Sequence, residues 1–205
     1  MMDKFVLIDE IIPNVILDIR YFSDYNFVGS RIDGYLDNCA IVTKECGEAL
    51  KKVSDEISKY GYVLKIYDAY RPNMAVDHFI RWSKSSDEKM KDVFYKNSGK
   101  KEIFENGFVA SRSSHSRGST VDLTFYDVNN NCDLDVGGKF DVFDKSSRYD
   151  YSNITDKQKS NRIFLREVMI KYGFIPFDNE WWHFTLKNEP FPDKYFNFPV
   201  SRNIF

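Results

Sequence analysis

Histidine and cysteine are both scarce in this chain, three of each in 205. Cys39 and Cys46 lie seven apart and Cys132 is distant, so there is no Cys-x-x-Cys pair for structural zinc or redox work. The expectation is free thiols packed as small apolar groups in a reducing compartment. A cysteine nucleophile is the competing idea, but nothing beside any of the three marks one. Long apolar runs are also missing. No segment approaches the roughly 18 residues a membrane helix requires, and Met1 to Glu10 carries Asp3, Asp9 and Glu10 where an export signal would need an unbroken apolar stretch. The expectation is a cytoplasmic protein with no membrane partner. No sign of charge dominates: Lys+Arg 29 against Asp+Glu 31 leaves −2, with no basic block, which argues against nucleic acid as a partner.

What is present suits one enzyme-sized domain over residues 1–205. A chain that is 42% hydrophobic and 17% aromatic has ample material for a packed core. No repeat, low-complexity tract or long Pro/Gly/Ser linker divides it. From Ile41 to Tyr60, Val42, Cys46, Ala49, Leu50, Val53 and Ile57 recur at helical spacing and Gly61 supplies a stop, which predicts a core-facing helix. A second helix is expected over Met74 to Lys84. A third follows Thr155 as N-cap, with Phe164, Leu165, Val168, Met169 and Tyr172 on its buried side and Gly173 at its end. Strands are expected over 62–67, 108–111, 119–126, 174–177 and 181–187. Helices interspersed with a mostly antiparallel sheet make the class α+β. Residues 127–156, rich in Asn, Asp, Gly and Ser, read as a surface loop.

Chemistry concentrates in two segments. In Ser113–Asp122, His115 stands seven positions before Asp122; in Glu180-Trp181-Trp182-His183 another histidine has an acid close by. Two imidazoles and one carboxylate are a normal three-ligand set for catalytic zinc with a fourth position open, and the remaining glutamate suits a base. His115, Asp122 and His183 are therefore the candidate ligands and Glu180 the candidate base, which makes the chain a metallohydrolase. His-to-Asp spacing alone is weak evidence, but small residues around His115 (Ser113, Ser114, Ser116, Gly118, Ser119) suit close backbone approach to a ligand. Val121, Leu123 and Phe125 then alternate with Asp122 and Thr124 as in a strand, leaving Asp122 to meet solvent or line a cleft. Strict pleating would send Glu180 and His183 to opposite faces, so Glu180 is expected in the turn that Asp178-Asn179 begins.

With Tyr67-Asp68-Ala69-Tyr70-Arg71-Pro72 upstream, these stretches resemble the D-alanyl-D-alanine dipeptidases of the vancomycin-resistance type, within the wider group of zinc D,D-peptidases. The likeness takes in Asp18-Ile19-Arg20-Tyr21, Asn26-Phe27-Val28-Gly29, Gly138-Lys139-Phe140-Asp141 and Glu189 to Val200 in one order over nearly the whole chain. It implies a fold of the hedgehog and D,D-peptidase kind, one Zn²⁺ per chain and a small dipeptide as substrate. It also implies that Arg71 faces the oxygen that becomes negative during attack, with Asp68 orienting it, and that Asp141 closes over the substrate and meets its free amine. Tyr21 and Ser114 enter as substrate-binding groups only because their segments flank the family's cleft.

Each assignment has a plainer alternative. Arg71 can be a structural partner for Asp68, Asp141 a solvated loop carboxylate, Tyr21 core, and Ser114 a backbone cap. Trp181 and Trp182 can be core aromatics or pocket walls. His78, on a helical run with no second ligand at i+4, is read as a non-ligand.

The mechanism implied is zinc-assisted hydrolysis of D-alanyl-D-alanine to two D-alanines, with Glu180 moving the proton, in glycopeptide resistance or in wall turnover. A D,D-carboxypeptidase or endopeptidase with the same site is the nearer alternative. A binding protein that retains the metal without turnover is the more distant one, and Glu180 speaks against it. The sequence does not give the oligomeric state.

Overall fold

The computed structural model describes residues 2–105 and 112–205. In chain order its main elements are β1 (Phe5–Leu7), α1 (Ile8–Ile11), β2 (Ile16–Leu17), β3 (Ile41–Thr43), α2 (Lys44–Ile57), β4 (Tyr62–Asp68), α3 (Asn73–Ser83), α4 (Lys91–Phe94), α5 (Lys100–Glu105), β5 (Thr120–Asp127), β6 (Cys132–Asp133), α6 (Asp156–Lys171), β7 (Phe174–Phe177) and β8 (Glu180–Leu186). The main sheet runs β2-β4-β5-β8-β7, with β6 pairing to the far end of β5. Only the short β2–β4 pair is parallel among its ladders. The expected α+β class with a mostly antiparallel sheet is what forms. The strand expected over 108–111 lies outside the described residues.

Local chemistry explains most boundaries. Thr155 accepts from Gln158 N while the Gln158 side chain takes the Thr155 N–H, a reciprocal cap that opens α6. Gly173, at φ 89°, turns the chain out of that helix into β7. The helix expected from Ile41 forms as α2, but begins three residues later. Ile41–Thr43 is a strand paired antiparallel with Phe5–Leu7, and the Thr43 side chain then caps α2 by accepting from Cys46 N at 3.3 Å. Three β-branched residues found a partner strand near the other end of the sequence window, and helical spacing could not register it.

α2 and α6 pack on each other and against β4 and β7, and the buried apolar side chains form one continuous core. In β5, Val121, Leu123 and Phe125 are fully buried, yet Asp122 and Thr124 on the opposite face are buried as well. The cover on that second face comes largely from 127–156, which is not simply a surface loop. Leu134, Val136, Phe140, Asp141 and Phe143 are all buried, and the Phe140 ring stacks on Tyr67 at 4.5 Å. Arg162, itself buried, donates to the carbonyls of Val136 (2.7 Å), Ser146 (2.8 Å) and Arg148. A buried guanidinium spending its donors on three loop carbonyls fixes the segment in place.

Candidate metal centre

The site is a row across the sheet. Asp68 at the end of β4 lies opposite Asp122 of β5, and Asp122 lies opposite His183 of β8. Adjacent antiparallel strands bring directly opposed Cβ atoms to about 5 Å, so three side chains far apart in sequence share one patch. His115 arrives from the turn just before β5, a single 3-10 turn over Ser114–Arg117. Ser113 caps this turn by accepting from His115 N, and Gly118 ends it at φ 84°, where a Cβ would lie 2.5 Å from the Phe5 ring. Glycine is therefore required twice over at 118, by its dihedral and by its neighbour.

His115 Nε2 is 3.3 Å from His183 Nδ1 and 3.4 Å from Asp122 Oδ1, and His183 Nδ1 is 3.0 Å from Asp122 Oδ1. Tetrahedral ligands at zinc bond lengths stand about 3.3 Å apart, so these three donors outline one face of such a site. The tautomer agrees. His115 Nδ1 lies 2.7 Å from the Ala69 carbonyl and must donate to it, which leaves the Nε2 lone pair facing the other ligands. Burial holds His115 below its usual pKa, favouring the neutral, ligating form. Burial also acts to lower His183, but the carboxylates of Asp122 and Glu180 outweigh it and raise the ring. Asp68, Asp122, Asp141 and Glu180 crowd four buried or half-buried carboxylates around Arg71, a negative surplus that a divalent cation would offset. The donor set fits a divalent metal ion.

Glu180 sits beside the three donors and outside their face, Oε2 3.5 Å from His183 Nδ1. It is the first residue of β8, not a turn residue as expected. Pairing shifts from Pro176↔Phe184 to Phe177↔Glu180, so three residues of β8 have no partner in β7, although His183 among them still pairs with Asp122 of β5. That irregularity cancels the pleat and brings Glu180 to the His183 side. Burial raises its carboxyl to about 7.

Arg71 pairs with Asp68, as its structural reading has it, and also lines the cavity. Nε and Nη2 meet Asp68 Oδ2 at 2.9 and 2.8 Å, while Nη2 also approaches Asp122 Oδ2 at 3.6 Å. The guanidinium lies over the rings of Tyr21 and Phe79 at 5.0 and 5.3 Å and lines the cavity. Asp68 is fully buried and accepts from Tyr35 Oη at 2.6 Å. Asp68 is not among the residues that line the cavity, and it holds the Arg71 guanidinium that does.

Asp141 is buried at 6% exposure, against the solvated alternative, and its backbone is left-handed at φ 65°. Its Oδ2 accepts from Tyr21 Oη at 3.1 Å, and burial raises its carboxyl to about 8, with Arg71 opposing. Tyr21 is at once core and cavity wall. Ser114 Oγ stands 3.4 Å from His183 Nε2, where it orients the ring. Trp182 lines this cavity and Trp181 does not; His78 lies elsewhere, accepting from Asp33 N. The whole encloses about 330 Å³, at the small end for ligand cavities. Sequence reasoning missed Tyr35, Ser113, Phe79 and Phe177. Only Ser113 carried a signal, as a small residue before His115.

Residues 1–201 match the profile of the M15 peptidase family described as D-Ala-D-Ala dipeptidase. The D-alanyl-D-alanine dipeptidase of Streptomyces coelicolor is 40% identical over 202 residues, covering 98% of this chain and 100% of that protein. The enzyme of the same description from Enterococcus faecalis gives the same identity and coverage. That from Enterococcus faecium is 38% identical over 198 residues, 96% of this chain and 98% of the relative.

Proposed function

Since the chain belongs to the D-alanyl-D-alanine dipeptidase family of M15 peptidases, we propose that it hydrolyses D-alanyl-D-alanine to two D-alanines, with one zinc ion held by His115, Asp122 and His183. The observation that carries this reading is the triangle of donor atoms with 3.0 to 3.4 Å edges and a carboxylate, Glu180, beside it but outside it. A bound zinc ion would supply Lewis acidity, acidifying a water and polarising the scissile carbonyl. Glu180 accepts the water's proton and returns it to the departing amine. Arg71, held by Asp68 and by the aromatic faces of Tyr21 and Phe79, directs its charge at the oxygen on which negative charge builds, a contribution of about 10²–10³ in rate.

Asp141 and Tyr21 hold the substrate's free ammonium. A buried carboxylate with one hydroxyl partner among the described residues gains most from a cation, and a chain extended or blocked at the amine would leave it unpaired. The cavity's size agrees with a guest of two small residues. The fold is of the hedgehog and D,D-peptidase kind, a reading supported by the antiparallel strands that present the ligands. The chain works as one domain in the cytoplasm; the continuous core and three unpaired thiols support this. None of the described helices is long and apolar enough to cross a membrane.

Purified protein incubated with D-Ala-D-Ala, with and without a chelator, tests the proposal through release of new amine. Hydrolysis abolished by the chelator and restored by zinc is expected. Turnover of N-acetyl-D-Ala-D-Ala in preference to the free dipeptide would move the assignment to a carboxypeptidase.

A further inference from the structure

Tyr35 is buried behind Arg71 and does not itself line the cavity. It follows Gly34, whose φ of 87° and lack of a side chain let the chain seat against Pro72, the residue after Arg71; a Cβ at Gly34 would lie 2.7 Å from the proline ring. The Tyr35 ring packs edge-on against Tyr21 at 5.7 Å, and Tyr21 in turn carries the Arg71 guanidinium at 5.0 Å. From that seat the Tyr35 hydroxyl donates to Asp68 Oδ1 at 2.6 Å, the one hydrogen bond on that oxygen among the described residues.

The way Asp68 grips Arg71 is tied to this bond. Arginine and carboxylate commonly pair as a fork, two parallel N–H···O bonds each to its own oxygen. Here Nε at 2.9 Å and Nη2 at 2.8 Å both converge on Oδ2, while Oδ1 is held by Tyr35. The guanidinium is thus gripped along one edge. Its Nη1 keeps only a 3.5 Å contact with Ser113 Oγ, which leaves that nitrogen for a guest in the cavity. Without the Tyr35 hydroxyl, Oδ1 is a buried anionic oxygen with no donor, and the carboxylate gains by turning to share both oxygens with the guanidinium. Such a turn swings Arg71, and an offset of about 1 Å in a group aimed at developing charge costs up to about 10² in rate.

We propose that Tyr35 is a positioning residue for the reaction: by occupying Asp68 Oδ1 it sets the direction in which Arg71 presents Nη1 to the substrate. This role rests on the reading of Arg71 as partner of the oxygen that becomes negative during hydrolysis. Tyr35→Phe keeps the ring and removes the hydroxyl. It should fold, hold about one zinc per chain and lower kcat for D-Ala-D-Ala about tenfold, with KM changed less than about twofold. In an Arg71→Ala background the same change should lower the residual kcat less than about twofold, because the group it acts through is gone. A merely structural role would cost the same in both backgrounds. A crystal structure of Tyr35→Phe should show both Asp68 oxygens on Arg71 and a displaced guanidinium. That readout needs no turnover, so an inactive wild-type chain counts against the dipeptidase reading, and an unmoved Arg71 counts against this role. Unchanged kcat in Tyr35→Phe, or an equal loss with and without Arg71, would overturn the proposal.

Discussion

Asp122 stands directly opposite His183 across the β5–β8 ladder, with His183 Nδ1 3.0 Å from Asp122 Oδ1. Two of the three candidate ligands are thus positioned by backbone pairing, which fixes their separation more firmly than two loops would. His115 completes the triangle from a turn joined to the same strand by Gly118 and Ser119 alone. The centre is therefore a property of the sheet, and its loss should follow from single side-chain changes without loss of fold.

Accordingly, purified protein is expected to hold about one zinc per chain, and His115→Ala, Asp122→Ala or His183→Ala should each release it, since a three-ligand site does not keep high affinity with two. Metal analysis after dialysis decides this, with circular dichroism to check folding. Stoichiometric zinc in all three variants would remove the site.

Glu180 should separate from the ligands in its behaviour. Glu180→Gln is expected to keep zinc and lose activity by about 10²–10⁴. Its working form is the carboxylate, so kcat/KM is present above its pKa and lost as pH falls through it. Burial lifts the group to about 7, and a cation nearby acts in the opposite direction, so the acid limb should lie at or below that pH. The pH profile, taken with zinc content at each point, checks this; a flat profile down to the pH of zinc release would exclude Glu180 as the base.

Substrate choice should follow Asp141. D-Ala-D-Ala is expected to be cut well, while N-acetyl-D-Ala-D-Ala and D-Ala-D-Ala-D-Ala fail, because either change strands a buried carboxylate. L-Ala-L-Ala should also be poor. Asp141→Ala should lower activity on the free dipeptide by about tenfold or more and narrow its advantage over the acetylated one. Amine release from the four compounds by both proteins measures it, and undiminished discrimination in Asp141→Ala would assign amine recognition elsewhere.

Thiol chemistry offers a check on the packing away from the site. Cys39 and Cys46 are buried and Cys132 is exposed, and burial pushes the Cys39 thiol up to about 12 and raises Cys46 as well. A thiolate-selective reagent should modify one cysteine in the native chain and three after denaturation. Mass spectrometry identifies which. Rapid native modification of Cys46 would contradict the core described around α2.

Sequence by itself determined whatever depends on neighbours along the chain. Thr155 and Gln158 cap α6, Gly61 and Gly173 end their helices at positive φ, and alternation of Val121, Leu123 and Phe125 writes β5. It also supplied the residue types of the centre, because His115, Asp122, Glu180 and His183 fall in two compact segments. Tertiary structure decided what depends on pairing over long separations. The first three residues of the helix read from Ile41 became a strand because Phe5–Leu7 was there to pair with them. Glu180 reached His183 only through an irregular β7–β8 register. Tyr35 holds Asp68 from 33 positions away, and Arg162 pins the carbonyls that carry Asp141 into the cavity. Local propensity and periodicity are set by bonds and rotamers within a few residues, whereas these contacts are set by which surfaces the folded core brings face to face.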